Sequence, residues 1–271
     1  MIKKYFQRIK MIFGPTSKEN KEFVEKNKSY WKKTYFDRKK LSVLVEGFLN
    51  SPKYIVKSSS MANGIKEIKD YNTVVITEGF SKRFSFLHKA KIFQSFGFSK
   101  IIYLYLYYLN PFMLIKAIIF SIIVFIQNDS PMTLSKYEFK GILLGDLIYD
   151  SILRHEPKTY SLDRIKMKHY KYFFKAILFF YIYNKFLSKY KVKYLILSHS
   201  IYIQFGLLYR LAEASKLYIF MQAGSKIVDI TKKNRTENIM APSTKEFSSI
   251  KGSEFIKSVD KNLHARFNGK I

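Results

Sequence analysis

Cysteine is absent from the 271-residue chain. Disulfides, thiolate zinc sites and thiol nucleophiles are thereby excluded, which suits a reducing compartment. Acidic residues are scarce. Asp and Glu number 20 against 48 Lys plus Arg, a formal net charge of +28. Such an excess favours anionic partners: phosphates, acidic lipid or nucleic acid. Part of it reflects composition, because a genome rich in A and T also inflates Lys, Ile, Asn, Tyr and Phe. Nucleic acid ranks last, since no zinc finger, RNP-like aromatic motif or Gly-rich clamp accompanies the charge. The phosphate-cradling GxxxxGK[ST], GxGxxG, HExxH and GxSxG are missing too. Asp129 and Asp146 do not make a DxD element, and no metal site or tightly bound cofactor is expected.

Long apolar runs are missing as well. The most hydrophobic stretch, residues 112–126, is interrupted by Lys116 and stops at Gln127-Asn128-Asp129, short of the about 20 apolar residues that a span needs. A buried crossover helix is the expectation there. The amino terminus, "MIKKYFQRIKMIFGP", scatters Lys and Arg through its length instead of placing them before an apolar block, so it does not read as a secretory signal. Ile2, Tyr5, Phe6, Ile9, Ile12 and Phe13 share one helical face. That helix either packs on the domain or lies in an anionic membrane interface.

What is present is 48% hydrophobic, enough for a real core. Residues 41–48 read as a buried strand ending at Glu46-Gly47. Residues 72–80 repeat the pattern and end at Glu78-Gly79, and a third strand is placed near 100–107. Residues 163–190 form a long helix with an apolar stripe from Tyr170 to Tyr181 and a basic face of Lys168, Lys171, Lys175, Lys185 and Lys189. Residues 191–224 are the clearest unit. Val192–Leu197 is a strand, Ser198-His199-Ser200 a turn, 201–215 a helix and 217–221 a further parallel strand. Strands alternating with helices predict an α/β fold with a parallel sheet. The expected organisation is a basic amphipathic segment over 1–40, a Rossmann-like domain over 41–224, and a linker with a terminal helix over 225–271.

In such sheets ligands gather at the carboxyl ends of strands. Glu46, Glu78 and His199 are therefore candidate site residues. His199 also precedes a helix, titrates near neutrality in its ordinary state and lies between two capping serines. Asp146 follows Gly145 within "GILLGDLIYDSILRH", 141–155. A carboxylate there is paired, caps the helix, or carries the raised pKa of a general base. Lys140 and Arg154 are its expected partners if it is paired. Asp150 and Arg154 follow at successive i+4 positions, a spacing for a helical ion pair.

The segments "YEFKGILLGDLIYDSILR" (137–154) and "LILSHSIYIQFGLLYRLAEASKLYIF" (195–220), with "IFQSFGFSKIIYL" (92–104) upstream, resemble the amino-terminal half of bacterial surface-polysaccharide (capsule-type) glycosyltransferases. The resemblance spans roughly residues 40–225. It implies one half of a GT-B-like enzyme that transfers a sugar from a nucleotide-sugar to a growing glycan, often lipid-linked. By that resemblance Asp146 or His199 is the base. Gly145, Tyr202, Arg210, Glu46 and Glu78 contact substrate, while Gly141, Asp150, Arg154 and Gly206 give structural support. The nucleotide-sugar domain would lie beyond residue 271 or on a second polypeptide, so whether this chain is itself an enzyme stays open. The implied location is cytoplasmic, peripheral at the inner face of the membrane. The alternative is a non-catalytic, membrane-associated binding protein of the same pathway, in which the carboxylates are structural.

Overall fold

A computed structural model describes residues 18–49, 51–77, 85–108, 110–156, 161–223 and 226–230. The amino-terminal helix proposed over 2–13, Glu78-Gly79 and the terminal helix lie outside the described residues. The chain divides into two units, Met1–Asp229 and Ile230–Ile271, and every element named here belongs to the first.

The fold is α/β and Rossmann-like. Helix α1 (Lys18–Tyr30) precedes strand β1 (Ser42–Glu46). Then follow α2 (Pro52–Lys69), β2 (Asn72–Thr77), α3 (Ser85–Ser95) and β3 (Lys100–Tyr103). β1 and β2 are buried along their whole length, as strands covered on both faces must be. Helix α2 starts at Ser51, whose side chain accepts from the Tyr54 amide, with Pro52 at the first helical position. Both are ordinary start signals.

A long excursion follows: α4 (Tyr105–Tyr108), α5 (Pro111–Gln127), α6 (Pro131–Ser135), a hairpin of β4 (Glu138–Phe139) and β5 (Ile142–Leu143), α7 (Gly145–Leu153) and α8 (Tyr170–Lys189). The chain then re-enters the sheet as β6 (Val192–Leu197). A π-helical turn (Tyr202–Gly206) and α9 (Leu207–Ala214) lead to β7 (Tyr218–Ala223) and β8 (Lys226–Asp229). Sheet order is β3-β2-β1-β6-β7-β8. All pairs are parallel except β7 with β8. The order therefore reverses between β1 and β6, where a crevice opens at the strand ends of such sheets.

Three expectations need correction. Residues 226–229 are an edge strand rather than linker, paired antiparallel to β7. The apolar stripe of α8 does not end at Tyr181, because Ile182, Tyr183, Phe186 and Leu187 are also buried. This helix is covered by α5, α7, α9 and the π-turn, so its buried surface exceeds one stripe. Finally, α5 is not a buried crossover helix. Only Ala117, Ser121 and Val124 are buried, whereas Phe112, Ile115, Ile119, Ile122 and Ile126 are 44–76% exposed. Its apolar residues run round the helix and α8 covers one side. Among the described residues no helix is long and apolar enough to cross a membrane.

The hairpin explains Lys140-Gly141. Both have positive φ, 53° and 76°, the backbone of a two-residue loop whose twist matches the strands. Gly145 has a different duty. A Cβ there would overlap the Leu134 carbonyl oxygen, so α7 packs its first residue directly on the backbone of α6. Gly64, in the interior of α2, is the opposite case: a Cβ added there would have nothing within 4 Å. Gly145→Ala is expected to lose about 2–3 kcal/mol of stability, and Gly64→Ala to gain about 0.5–1 kcal/mol. Urea denaturation of both variants checks the pair, and equal effects would contradict the packing described.

Candidate functional site

β1 ends at Glu46, and the chain turns tightly there. The Gly47 amide donates to the Ile76 carbonyl at 2.8 Å, and a Cβ on Gly47 would meet that oxygen at 2.9 Å. The Glu46 side chain is fully buried. One oxygen accepts from the Phe48 and Leu49 amides, the latter at 3.1 Å. The other accepts from the Ser198 amide at 3.1 Å and the Ser198 hydroxyl at 2.5 Å. A buried carboxylate is tolerated when its lone pairs are satisfied in this way. Burial pushes the Glu46 pKa up, and these hydrogen bonds pull it back. The buried Tyr54 hydroxyl donates to the Ile196 carbonyl at 3.2 Å; burial, then the nearby Glu46 charge, raises its pKa well above the ordinary value.

Ser198 passes the connection on. Its Oγ lies 2.9 Å from His199 Nδ1. The hydroxyl has one proton. Given to Glu46, it leaves Ser198 to accept from Nδ1–H, which assigns the lone pair of the neutral imidazole to Nε2. The His199 ring lies against Phe205, centroids 3.8 Å apart and planes tilted by 36°, and Phe205 meets Phe48 edge-on. Burial first, and then the positive charge of Arg154, push the His199 pKa down to about 4. The imidazole is thus neutral at physiological pH.

A second cluster stands on α7 and α9. Arg210 grips Asp146 with two donors, Nη1 to Oδ1 at 2.6 Å and Nη2 to Oδ2 at 2.5 Å, and also donates to the Leu143 carbonyl. Asp146 is the second residue of α7, not its cap, and its partner is neither Arg154 nor Lys140. Lys140 lies over the rings of Phe120, Phe139 and Tyr181 instead. The expected Asp150–Arg154 pair is not formed. Arg154 turns to Tyr202, its Cζ 4.2 Å from the ring centroid. Partial desolvation, then the Asp146 charge, raise the Asp150 pKa, with Arg210 opposing. Ser151, also on α7, accepts the Ile203 amide at 3.0 Å. Tyr202 has φ 63° and opens the π-helical turn. Between these elements lies a cavity of about 200 Å³, bordered by Arg154, His155, Tyr172, Lys175, Tyr202 and Gln204.

The structure thus joins Glu46 to His199 through Ser198, and Asp146 to Arg210. It does not leave Glu46 facing a substrate, because the carboxylate is enclosed. The close approach allowed by Gly145 is to Leu134, not to a ligand. Gly206 supports the packing of the π-turn, since a Cβ there would run into Leu147 Cδ2 and lie 2.6 Å from the Ser200 carbonyl oxygen. Ser198 as a connector was missed by sequence reasoning, which saw only a helix cap. Among the described residues no group of three or more His, Asp or Glu is placed to hold a metal ion.

No protein-family model matches the chain. Nor does any curated protein match it.

The depressed His199 pKa has a defined signature. Between about 4 and the ordinary 6.5 the unfolded chain binds this proton and the folded chain does not. Its contribution to stability is therefore lost as pH falls through that window. Glu46 acts with opposite sign, since its raised pKa favours the folded state as pH falls, so a variant comparison isolates the histidine. The stability advantage of wild type over His199→Gln is expected to shrink from pH 7 to pH 4 in urea titrations. Parallel curves would contradict it.

Proposed function

We propose that this chain is the acceptor-binding half of a glycosyltransferase acting on a growing surface polysaccharide, with His199 as general base. The observation that carries this reading is the Glu46–Ser198–His199 chain at the ends of β1 and β6, where the strand order reverses. Nε2 takes the proton of an acceptor hydroxyl while that oxygen bonds to the anomeric carbon of the donor sugar. The bond from that carbon to the nucleoside diphosphate breaks, and the diphosphate leaves with the electron pair. Ser198, backed by Glu46, holds the imidazole orientation and stabilises the imidazolium through Nδ1–H. Asp146, named with His199 as a candidate base, is occupied by a bidentate guanidinium. It positions α7 against α9, and Arg210, named as a substrate contact, does the same. The quoted motifs support the sugar-transfer chemistry. The nucleotide-sugar would be held by a further domain or a second polypeptide.

His199→Ala is expected to reduce transfer about 100- to 10,000-fold, and Asp146→Asn to act mainly through stability. The measurement is nucleoside diphosphate release from a panel of nucleotide-sugars, with lipid-linked envelope oligosaccharide as acceptor and the donor half supplied if it is separate. Unchanged turnover in His199→Ala overturns the base assignment.

The same reading places the protein at the inner face of the cytoplasmic membrane, and α5 supports this. At about 25 Å its 17 residues are too short to span, yet they offer isoleucines and Phe112 to solvent. An exposed apolar patch rimmed by charge marks an interaction surface. Lys116 lies within the helix and Lys140 sits over its Phe120 ring, with Lys136, Asp129 and Glu138 nearby in sequence. That balance and the net charge of +28 fit a bilayer containing anionic lipid. The protein is expected to float with phosphatidylglycerol vesicles and not with phosphatidylcholine alone. Ile119→Asp combined with Ile122→Asp should remove flotation and leave circular dichroism unchanged. Flotation by the variant equal to wild type, or none by wild type at low salt, overturns the docking face.

A further inference from the structure

The cavity is polar and carries two cations, Arg154 and Lys175. Arg154 lays its face on Tyr202, which leaves the edge of the guanidinium, where its N–H groups point, available to a planar or tetrahedral oxyanion. Among the described residues Arg154 forms no ion pair, although Asp150 stands one helical turn before it. Across the cavity Lys175 places its ammonium 3.5 Å from Gln204 Oε1 and 5.2 Å from the centre of the Phe179 ring. His155 donates from Nδ1 to the Ser151 carbonyl at 2.7 Å, and its ring lies 5.6 Å from that of Tyr172. Among the described residues none that borders the cavity is acidic. Two cations held by packing around an acid-free space are a site for an anion, since each is already oriented and no carboxylate in the lining repels the ligand. About 200 Å³ is on the order of six or seven water volumes, room for a phosphate or diphosphate.

We propose that Arg154 and Lys175 bind a phosphate or diphosphate group, and that this group belongs to the acceptor. The anion site stands on the cavity itself; its assignment to the acceptor rests on the transfer reading. Two sources share this chemistry: a lipid-linked diphosphate and a soluble nucleoside diphosphate. Two observations favour the first. Tyr202, which borders the cavity, lies 6.5 Å, centroid to centroid, from the proposed base, and α5 carries an exposed apolar face on the same unit.

The test is calorimetric titration of the whole chain at physiological ionic strength with inorganic pyrophosphate, a nucleoside diphosphate and a short-chain prenyl diphosphate. Pyrophosphate is expected to bind saturably, and Arg154→Gln and Lys175→Gln each to weaken it at least tenfold. Arg154→Lys, which keeps charge but loses the planar fork, should fall between. Lys189→Gln, at the far end of α8, should bind as wild type does. Absence of saturable binding overturns the site. So does an equal loss in Lys189→Gln, which would assign the effect to overall charge. Prenyl diphosphate binding more tightly than the nucleoside diphosphate supports the acceptor assignment, and the reverse order overturns it. Retained pyrophosphate binding in His199→Ala keeps the anion site standing even where the transfer reading fails.

Discussion

Two strands distant in sequence are tied at their ends by one buried carboxylate. Glu46 takes hydrogen bonds from the loop that follows β1 and from the residue that follows β6. Removing that carboxylate would leave several buried donors unpaired at the point where the sheet order reverses, and each such donor costs about 1–3 kcal/mol. The position of Ser198, and through it the orientation of His199, depends on this interaction. The same burial that makes Glu46 a good anchor removes it from contact with any ligand. A carboxylate at a strand end is thus a support for the group beside it.

The excursion between β3 and β6 carries the second half of the site. It is fastened to the sheet-bound elements at points of very different character. The Asp146–Arg210 fork joins α7 to α9. Ser151 receives the Ile203 amide, and Leu147 fills the space left by Gly206. One is ionic, one a neutral hydrogen bond and one a contact that only a missing side chain permits. The Ser151–Ile203 bond lies in the wall of the cavity itself. Arg154 borders that cavity with its guanidinium over Tyr202, while Asp146 is held by Arg210.

Much of this was legible in the sequence. Short apolar runs marked the central strands, and the 191–224 unit showed its strand–turn–helix–strand order, because burial on both faces leaves a continuous apolar signature. The Ser-His-Ser turn was visible as a strand end. Long-range partners were not. Arg210 is 64 residues from Asp146, and Ser198 is 152 from Glu46, so local spacing pointed to Arg154 and Lys140 instead. The exposure of α5 was hidden for a different reason. A predominantly apolar helix has the same sequence whether protein or another apolar medium covers it. Strand β8 was missed because it is four residues long and lies at an edge, with only its pairing to β7 to define it.

The π-helical turn at Tyr202–Gly206 has a consequence for how this chain tolerates insertions and deletions. A wide turn holds one residue more than a regular α-helical turn. Each residue of helix turns the chain by about 100°. Loss of a single residue here would narrow the turn and shift the phase of α9 relative to the strand end that carries His199. Substitutions along α9 leave that phase intact, whereas a one-codon deletion shifts it in a single step. Length is thus under constraint in these five residues alongside the identity of Gly206.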